Sequence, residues 1–442
     1  MNIQASTRGL AGVVQTIPRQ TFKMSKTLNS KRLKVLFFAP ILKYPPKGGP
    51  EISVINAIKV LNIISELHIV TTVREDCLGS DGALTFLKEH STNIVFSQKS
   101  ISVGPAPILE RAARFIKREI FPSLHLSLES RFIENYAIEN GIDTFWIDRV
   151  LEHSFTIFTK IRRAFPLATI VGDTEAIYSK FILRELPLVK SPLRWLNIYY
   201  RGKQKQIQER ELVRKADFVT AVSMVDILYF RSIAHDPKKI MSFSNTIDLS
   251  DFKNKFQPNT ALKQPCVLLL GTFGHQYSPM DRAAKWLADD IMPLVWEHVP
   301  NLHLYIIGVN ANKTQSLLNC ENITVIGDPI SMVPFLQQGT ATLVPLLFES
   351  GTRFKIVESG AASVACISTT LGAEGLNVTD KKDILIADNS EDFAKAIINV
   401  VTNLELSEFL GKNLHNLVLE NYSLDRQIEE GKSIIKLIQD KK

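Results

Sequence analysis

The chain has 442 residues, 45% hydrophobic and 22% charged, which is too long for one ordinary core and suits two α/β domains of roughly 200 residues each. No stretch reaches the roughly 18 apolar residues of a membrane span, and Cys77, Cys266, Cys320 and Cys366 lie too far apart for a zinc pattern or disulfide framework, which fits a reducing cytoplasm. The net charge of +7 does not mark a nucleic-acid binder, because Arg8, Arg19, Lys23, Lys26, Lys31, Arg32 and Lys34 carry the whole surplus within an acid-free tail.

Residues 1–33 read as a disordered basic tail without the apolar h-region of a secretory signal; an organelle transit peptide is the alternative. Lys34–Pro40 (KVLFFAP) is a buried-strand pattern. A Pro- and Gly-rich loop follows, then apolar residues at helical spacing (Ile52, Ile55, Ile58, Leu61), then a strand at Leu67–Thr72. This order begins a doubly wound parallel sheet. Further strands are expected at Asn93–Ser97, Asp143–Asp148, Thr169–Asp173, Phe218–Val222 and Ile240–Ser242, giving a first domain over residues 34–250. Residues 251–265 are polar, contain two prolines and read as a linker. The pattern then restarts with strands at Cys266–Leu270, Leu302–Ile307, Ile323–Ile326, Ala341–Val344, Ala365–Ser368 and Ile384–Ala387, a second domain over 266–420. A C-terminal helix follows over 421–442. The expected fold class is α/β, with two Rossmann-like sheets whose loop ends face one cleft.

The segment Val344–Leu376 carries the strongest chemical pattern. A strand ends at Pro345, the loop offers Ser350, Gly351 and Thr352, and a helix begins near Arg353. Backbone N–H groups and the dipole at such a helix start attract anions, and Arg353 and Lys355 add two full charges. Glu358, one turn on, has the acceptor oxygens to hold two ribose hydroxyls. The competing reading is an N-capped helix with ordinary surface charges.

Ser350–Ser359 (SGTRFKIVES) resembles the donor-binding signature of the large retaining glycosyltransferase family four, of GT-B fold, and Gly372–Leu376 (GAEGL) extends the likeness. Lys47–Glu51 (KGGPE), Ala216–Ser223 (ADFVTAVS), Asn245–Phe252 (NTIDLSDF) and Leu268–Gly274 with Pro279 resemble other family segments in the same order, so the resemblance covers residues 34–420. It implies a transferase that moves a sugar from a UDP- or GDP-sugar to a saccharide or lipid-linked acceptor, with retention, for polysaccharide or glycoconjugate synthesis. It implies no cofactor and no metal, with Arg353 and Lys355 replacing a divalent ion on the departing diphosphate; no Asp-x-Asp metal motif is present. By the same resemblance Gly48 and Gly49 let the first loop approach the donor, and Gly271 lies at the opening of the second domain. Asp328 and Ile330, in Gly327–Ile330 (GDPI), edge the base through backbone groups, while Glu358 binds the ribose. Glu374 is placed near the cleft or in a cap. The family has two glutamates with seven residues between them; counting back from Glu358, Ser350 stands at the first position and Glu349 is off by one. Loops near the second domain's first strand often carry Arg, and here Thr272–Tyr277 offers His275. On the acceptor side, Asp173 stands where many members carry His, with Glu175 beside it. A carboxylate there would orient the acceptor hydroxyl. Asp173 as the cap of a following helix is the bland alternative. His153 is a weaker candidate.

The run Arg111, Arg114, Lys117, Arg118 beside Phe115, Ile116 and Phe121 fits a solvated helix face, or a peripheral contact with anionic lipid at the inner face of the membrane. Trp195, Tyr199 and Tyr200 fit an acceptor wall or ordinary core. The rival functions on this architecture are a non-catalytic nucleotide-sugar-binding relative and a nucleotide-sugar epimerase. A dinucleotide dehydrogenase is disfavoured, because no G-x-G-x-x-G follows either first strand.

Overall fold

Apolar runs bounded by loops form the strands, and among the described residues the strands pair in parallel. The structure, a computed structural model, describes residues 32–80, 82–96, 122–253, 261–274, 278–314 and 321–442. Among these, the first sheet consists of β1 (Lys34–Ala39), β2 (Glu66–Thr71), β3 (Asn93–Phe96), β4 (Thr144–Ile147), β5 (Thr169–Asp173), β6 (Phe218–Ala221) and β7 (Ile240–Ser242), in the order β3-β2-β1-β4-β5-β6-β7. The second consists of β8 (Cys266–Thr272), β9 (His303–Val309), β10 (Ile323–Gly327), β11 (Ala341–Val344), β12 (Ala365–Ser368) and β13 (Leu385–Ile386), in the order β10-β9-β8-β11-β12-β13. Register is continuous along the central pairs: Lys34 faces Glu66 and Ala39 faces Thr71, while Cys266 faces His303 and Thr272 faces Val309. Strands covered on both faces must be apolar throughout, which is why β1 reads KVLFFA and β8 reads CVLLLGT.

Each sheet reverses its winding direction once, between β1 and β4 and between β8 and β11. Loops leaving the C-terminal ends of those strands diverge and open a crevice there. The helix Gly49–Ile64 follows β1. It opens with Pro50 in its first turn and with the Glu51 carboxylate accepting from Lys47 N at 2.6 Å, and it buries Val54, Ile55, Ile58, Val60 and Leu61.

The chain returns to the first sheet at its end. Helix Leu404–Asn421 packs against helix Phe354–Ala361, where Gly360 sits against Leu414 and Val418. After Tyr422, whose carbonyl accepts from Ile247 N at 2.8 Å, helix Leu424–Lys441 buries Ile434, Ile435 and Ile438 in the core beneath β1 and β2. The last helix thus belongs structurally to the first sheet. Among the described residues no helix is long and apolar enough to cross a membrane.

Candidate functional site

A cavity of about 320 Å³ lies between the two sheets. All four loops at the switch points line it. Lys47, Gly48 and Gly49 come from the loop after β1, Arg149 and Glu152 from that after β4, Thr272, Pro279 and Met280 from the stretch after β8, and Glu349–Arg353 from that after β11. Glu175 and Ala176, after β5, complete the first-sheet wall. Of the residues expected from the sequence, Gly48, Gly49, Glu175, Gly271, Ser350, Gly351, Thr352, Arg353, Lys355 and Glu358 meet here.

The signature helix Phe354–Ala361 buries Phe354, Ile356 and Val357 and leaves Lys355 and Glu358 half-buried on the cavity wall. Helical spacing explains the split, since positions one and four of the helix's polar side stack above each other. Among the described residues neither side chain has a hydrogen-bond or ion-pair partner. Burial pushes the Glu358 carboxyl up to about 7, and the Lys355 charge pulls against that rise.

Arg353 caps this helix with extended backbone (φ −87°, ψ 96°) and is only 2% exposed. Its guanidinium donates to the carbonyls of Gly351 and, at 3.1 Å, Leu371, with Nε 3.8 Å from Glu349 Oε2. From the sequence Arg353 is expected, with Lys355, to neutralise the departing diphosphate, and it does line the cavity. In the structure the buried cation is turned onto backbone carbonyls, because a desolvated guanidinium must be hydrogen-bonded.

The glycines serve the meeting of the two domains. Gly351 has φ +89°, and a Cβ there would lie 2.5 Å from the Glu175 carbonyl oxygen. A Cβ on Gly49 would lie 2.6 Å from the Phe354 ring, so the bare backbone there lets that ring approach. Gly271 lines the cavity beneath Met280.

Three expected residues lie away from the cavity. Asp173, the last residue of β5, is buried, and its carboxylate accepts from Trp146 Nε1 at 2.9 Å and Thr220 Oγ1 at 2.5 Å. It points among strand neighbours instead of towards an acceptor, and burial pushes it up to about 6. Asp328 takes left-handed backbone (φ 49°) and accepts from Asn310 N at 3.3 Å. Ile330, 85% exposed, lines an adjoining cavity of about 360 Å³ with Lys59, Asp248 and Met332. Glu358 is a shared wall of both cavities. His153 does not line the site, and His275 and Arg111–Phe121 lie outside the described residues.

Sequence reading missed Arg149. It is 2% exposed, takes left-handed backbone (φ 50°), and ion-pairs with both Glu152 and Glu175. Among the described residues its Nε finds no hydrogen-bond acceptor and Glu175 Oε1 finds no donor. Burial pushes Asp148 up to about 8 and Glu175 well above the usual carboxylate range, with Arg149 opposing both shifts. Burial also works to raise Glu152, but Arg149 and a hydrogen bond from Tyr178 bring it below its ordinary value. The one available signal was position: Asp148-Arg149 immediately follows a buried strand at the end where parallel sheets hold ligands.

Glu374 acts as a cross-domain clamp. It accepts from Lys180 Nζ at 2.8 Å and from Arg184 at 2.6 and 2.8 Å, and Arg184 also donates to the Glu349 carbonyl at 2.6 Å. Arg184 and Lys180 hold its carboxyl down to about 2.

Residues 264–403 match the family model described as Glycosyl transferases group 1. The matched stretch spans the second sheet and its signature helix. The two-sheet fold is that of GT-B glycosyltransferases. Among similar solved structures, sucrose-phosphate synthase from Thermosynechococcus elongatus superposes with a TM-score of 0.68 at 14% identity, over 93% of this chain and 100% of that one. Anabaena HepE in complex with UDP and glucose gives 0.64 at 11% identity, over 91% and 99%. TarM gives 0.65 at 12%, over 91% and 98%. In sequence, the chain is 25% identical over 146 residues to an uncharacterized 44.6 kDa protein in the cps region of Klebsiella pneumoniae, 31% of this chain and 38% of that protein's length.

Proposed function

We propose that this chain is a glycosyltransferase that moves a sugar from a UDP- or GDP-sugar to an acceptor hydroxyl, with retention and without a metal, in polysaccharide or glycoconjugate synthesis. The observation that carries this reading is the pair Lys355 and Glu358, a cation and a carboxylate on one helix, both on the cavity wall and, among the described residues, both without a hydrogen-bond or ion-pair partner. Lys355 meets the diphosphate and stabilises it as it leaves, supplying charge that a divalent ion would otherwise supply. Glu358 accepts the two ribose hydroxyls at the junction of the two cavities. Arg353 ties Gly351 to Leu371 and so fixes the loop whose N–H groups meet the phosphates. Glu175, held by Arg149, orients the acceptor hydroxyl. The UDP and UDP-glucose held by HepE, and the likeness to a protein of the cps region, support a UDP-sugar donor and a polysaccharide role. The acceptor is a saccharide or a lipid-linked saccharide, and the reaction runs in the cytoplasm or on the inner face of the membrane.

A thermal-shift titration with UDP, GDP and their glucose conjugates tests donor binding. A ligand at about 100-fold its Kd stabilises by roughly 2.7 kcal/mol. Turnover is then followed as free nucleoside diphosphate plus an acceptor adduct, in excess EDTA, with the anomeric configuration read by NMR. Stabilisation by neither nucleotide overturns the reading. An isomerised donor assigns an epimerase instead, and binding without turnover assigns a non-catalytic protein.

A further inference from the structure

The helix Pro192–Lys215 presents an apolar ridge to solvent. Its inner side buries Ile198, Gly202, Glu209, Leu212 and Val213, with Gly202 closely packed against Leu183. Its outer side carries Leu193, Trp195, Leu196, Tyr199, Tyr200 and Ile207, each at least 40% exposed, with Leu193 at 83% and Tyr200 at 62%. At about 100° per residue Leu193, Leu196, Tyr200 and Ile207 fall within about 60° of one another, and Trp195 and Tyr199 flank them on the side next to the buried face. Trp195 and Tyr199 stack with centroids 5.4 Å apart and planes within 7°, and Lys203 Nζ sits 5.4 Å from the Tyr199 ring centre. The rings are therefore not core, and they stand apart from the lining of the cavity between the sheets.

Scattered surface apolar residues need no explanation, but six exposed ones on a single helix do. Charge narrows the occupant. Between Glu185 and Glu209 the chain holds Lys190, Arg194, Arg201, Lys203 and Lys205 and no acidic residue. Lys190, Arg201 and Lys203 are exposed, whereas Arg194 pairs with Glu185 and Lys205 donates to the Leu151 carbonyl. A second copy of this face would bring like charges together. An anionic bilayer instead accepts an exposed apolar surface bordered by cations directly.

We propose that this face docks on the surface of an anionic lipid bilayer. Trp195, Tyr199 and Tyr200 sit at headgroup depth, Leu193, Leu196 and Ile207 dip towards the acyl chains, and Lys190, Arg201 and Lys203 meet lipid phosphates. The same helix packs against helix Tyr178–Leu183, whose Tyr178 and Phe181 line the donor cavity, so docking places that wall of the cavity near the membrane. The surface stands apart from the cavity, and its test needs no turnover.

The test is flotation of the full chain with phosphatidylcholine vesicles, neutral or containing roughly one-third phosphatidylglycerol. Association with the anionic vesicles alone is expected, and it should collapse in about 0.5 M NaCl. Each cation near an anionic surface contributes about fivefold, so Lys190→Ser/Arg201→Ser/Lys203→Ser should lower partitioning on the order of 100-fold. Trp195→Ala/Tyr199→Ala/Tyr200→Ala should abolish it, both variants melting as the wild type does. Emission should shift to the blue on vesicle addition, and this shift should vanish in Trp195→Phe. Equal association with both vesicle types, no association with either, or wild-type binding by the cation variant overturns the proposal. So does binding to soluble polyglutamate without vesicle binding, which assigns an acidic protein partner. A dimer in vesicle-free buffer that the aromatic variant abolishes also overturns it, assigning a second copy.

Discussion

Replacing Glu358 by glutamine should stabilise the empty protein and weaken nucleotide binding together. Burial raises the folded-state pKa of Glu358 from 4.5 to about 7. A raised carboxyl pKa means that the folded state holds the proton more tightly than the unfolded one. Below about 4.5 both states are protonated and nothing is lost; as pH rises through 7 the folded state forfeits its advantage, and above that the penalty is complete. At about 1.4 kcal/mol per pKa unit, this shift costs the folded protein roughly 3 kcal/mol near pH 8. Glutamine keeps the shape and cannot ionise. Glu358→Gln should therefore melt several degrees higher than wild type near pH 8 and coincide with it near pH 4.5, measured by scanning calorimetry. Isothermal titration with UDP and GDP should show the opposite sign, a loss of roughly 1.5–3 kcal/mol as two charge-assisted hydrogen bonds become neutral ones. The 2′,3′-dideoxy nucleotides should lose little. A variant less stable near pH 8, an unchanged affinity, or an equal loss with the dideoxy ligands refutes the assignment of Glu358 to the ribose.

Arg353 and Lys355 should separate by assay. Arg353→Lys keeps a charge but loses the fork between the Gly351 and Leu371 carbonyls, and should cost roughly 1.5–3 kcal/mol of stability in unliganded protein, read by calorimetry. Lys355→Ala should leave stability within about 0.5 kcal/mol and weaken UDP and GDP far more than the free nucleosides; the reverse pattern would move the diphosphate to Arg353. Gly351→Ala combines a positive φ with a contact to the Glu175 carbonyl, and should lower the melting temperature by strain of about 1–3 kcal/mol and reduce donor binding by displacing the loop. For Glu374 the sign is the ordinary one for a carboxylate: its pKa is depressed to about 2, so its contribution is present above about 4.5 and lost as pH falls through 2. Glu374→Gln should destabilise near neutral pH by about 1 kcal/mol, after allowance for solvent screening of this partly exposed group, and should enlarge the unliganded radius of gyration in small-angle scattering. An unchanged scattering curve would show that the clamp does not hold the domains together.

Most of the fold is legible in the sequence, because a strand buried on both faces must be a short apolar run whatever surrounds it. KVLFFA, TIVGD, ATLV and ACIS announce themselves in that way. The signature helix is legible for a related reason: its phosphate-attracting loop, its cations and its carboxylate are contiguous, so spacing alone places Lys355 and Glu358 on one side. Direction and partnership are not local properties. Whether Arg353 faces a phosphate or two carbonyls depends on where Leu371 comes to rest, and whether Asp173 faces a substrate depends on Trp146 and Thr220 from neighbouring strands. Arg149 gains its meaning only when β5 brings Glu175 beside it. The Glu374 clamp joins residues 190 and more positions apart. Chain order determined the elements and the charges available; only the packing of two sheets decided which charges were consumed in holding the domains together and which remained free for a ligand.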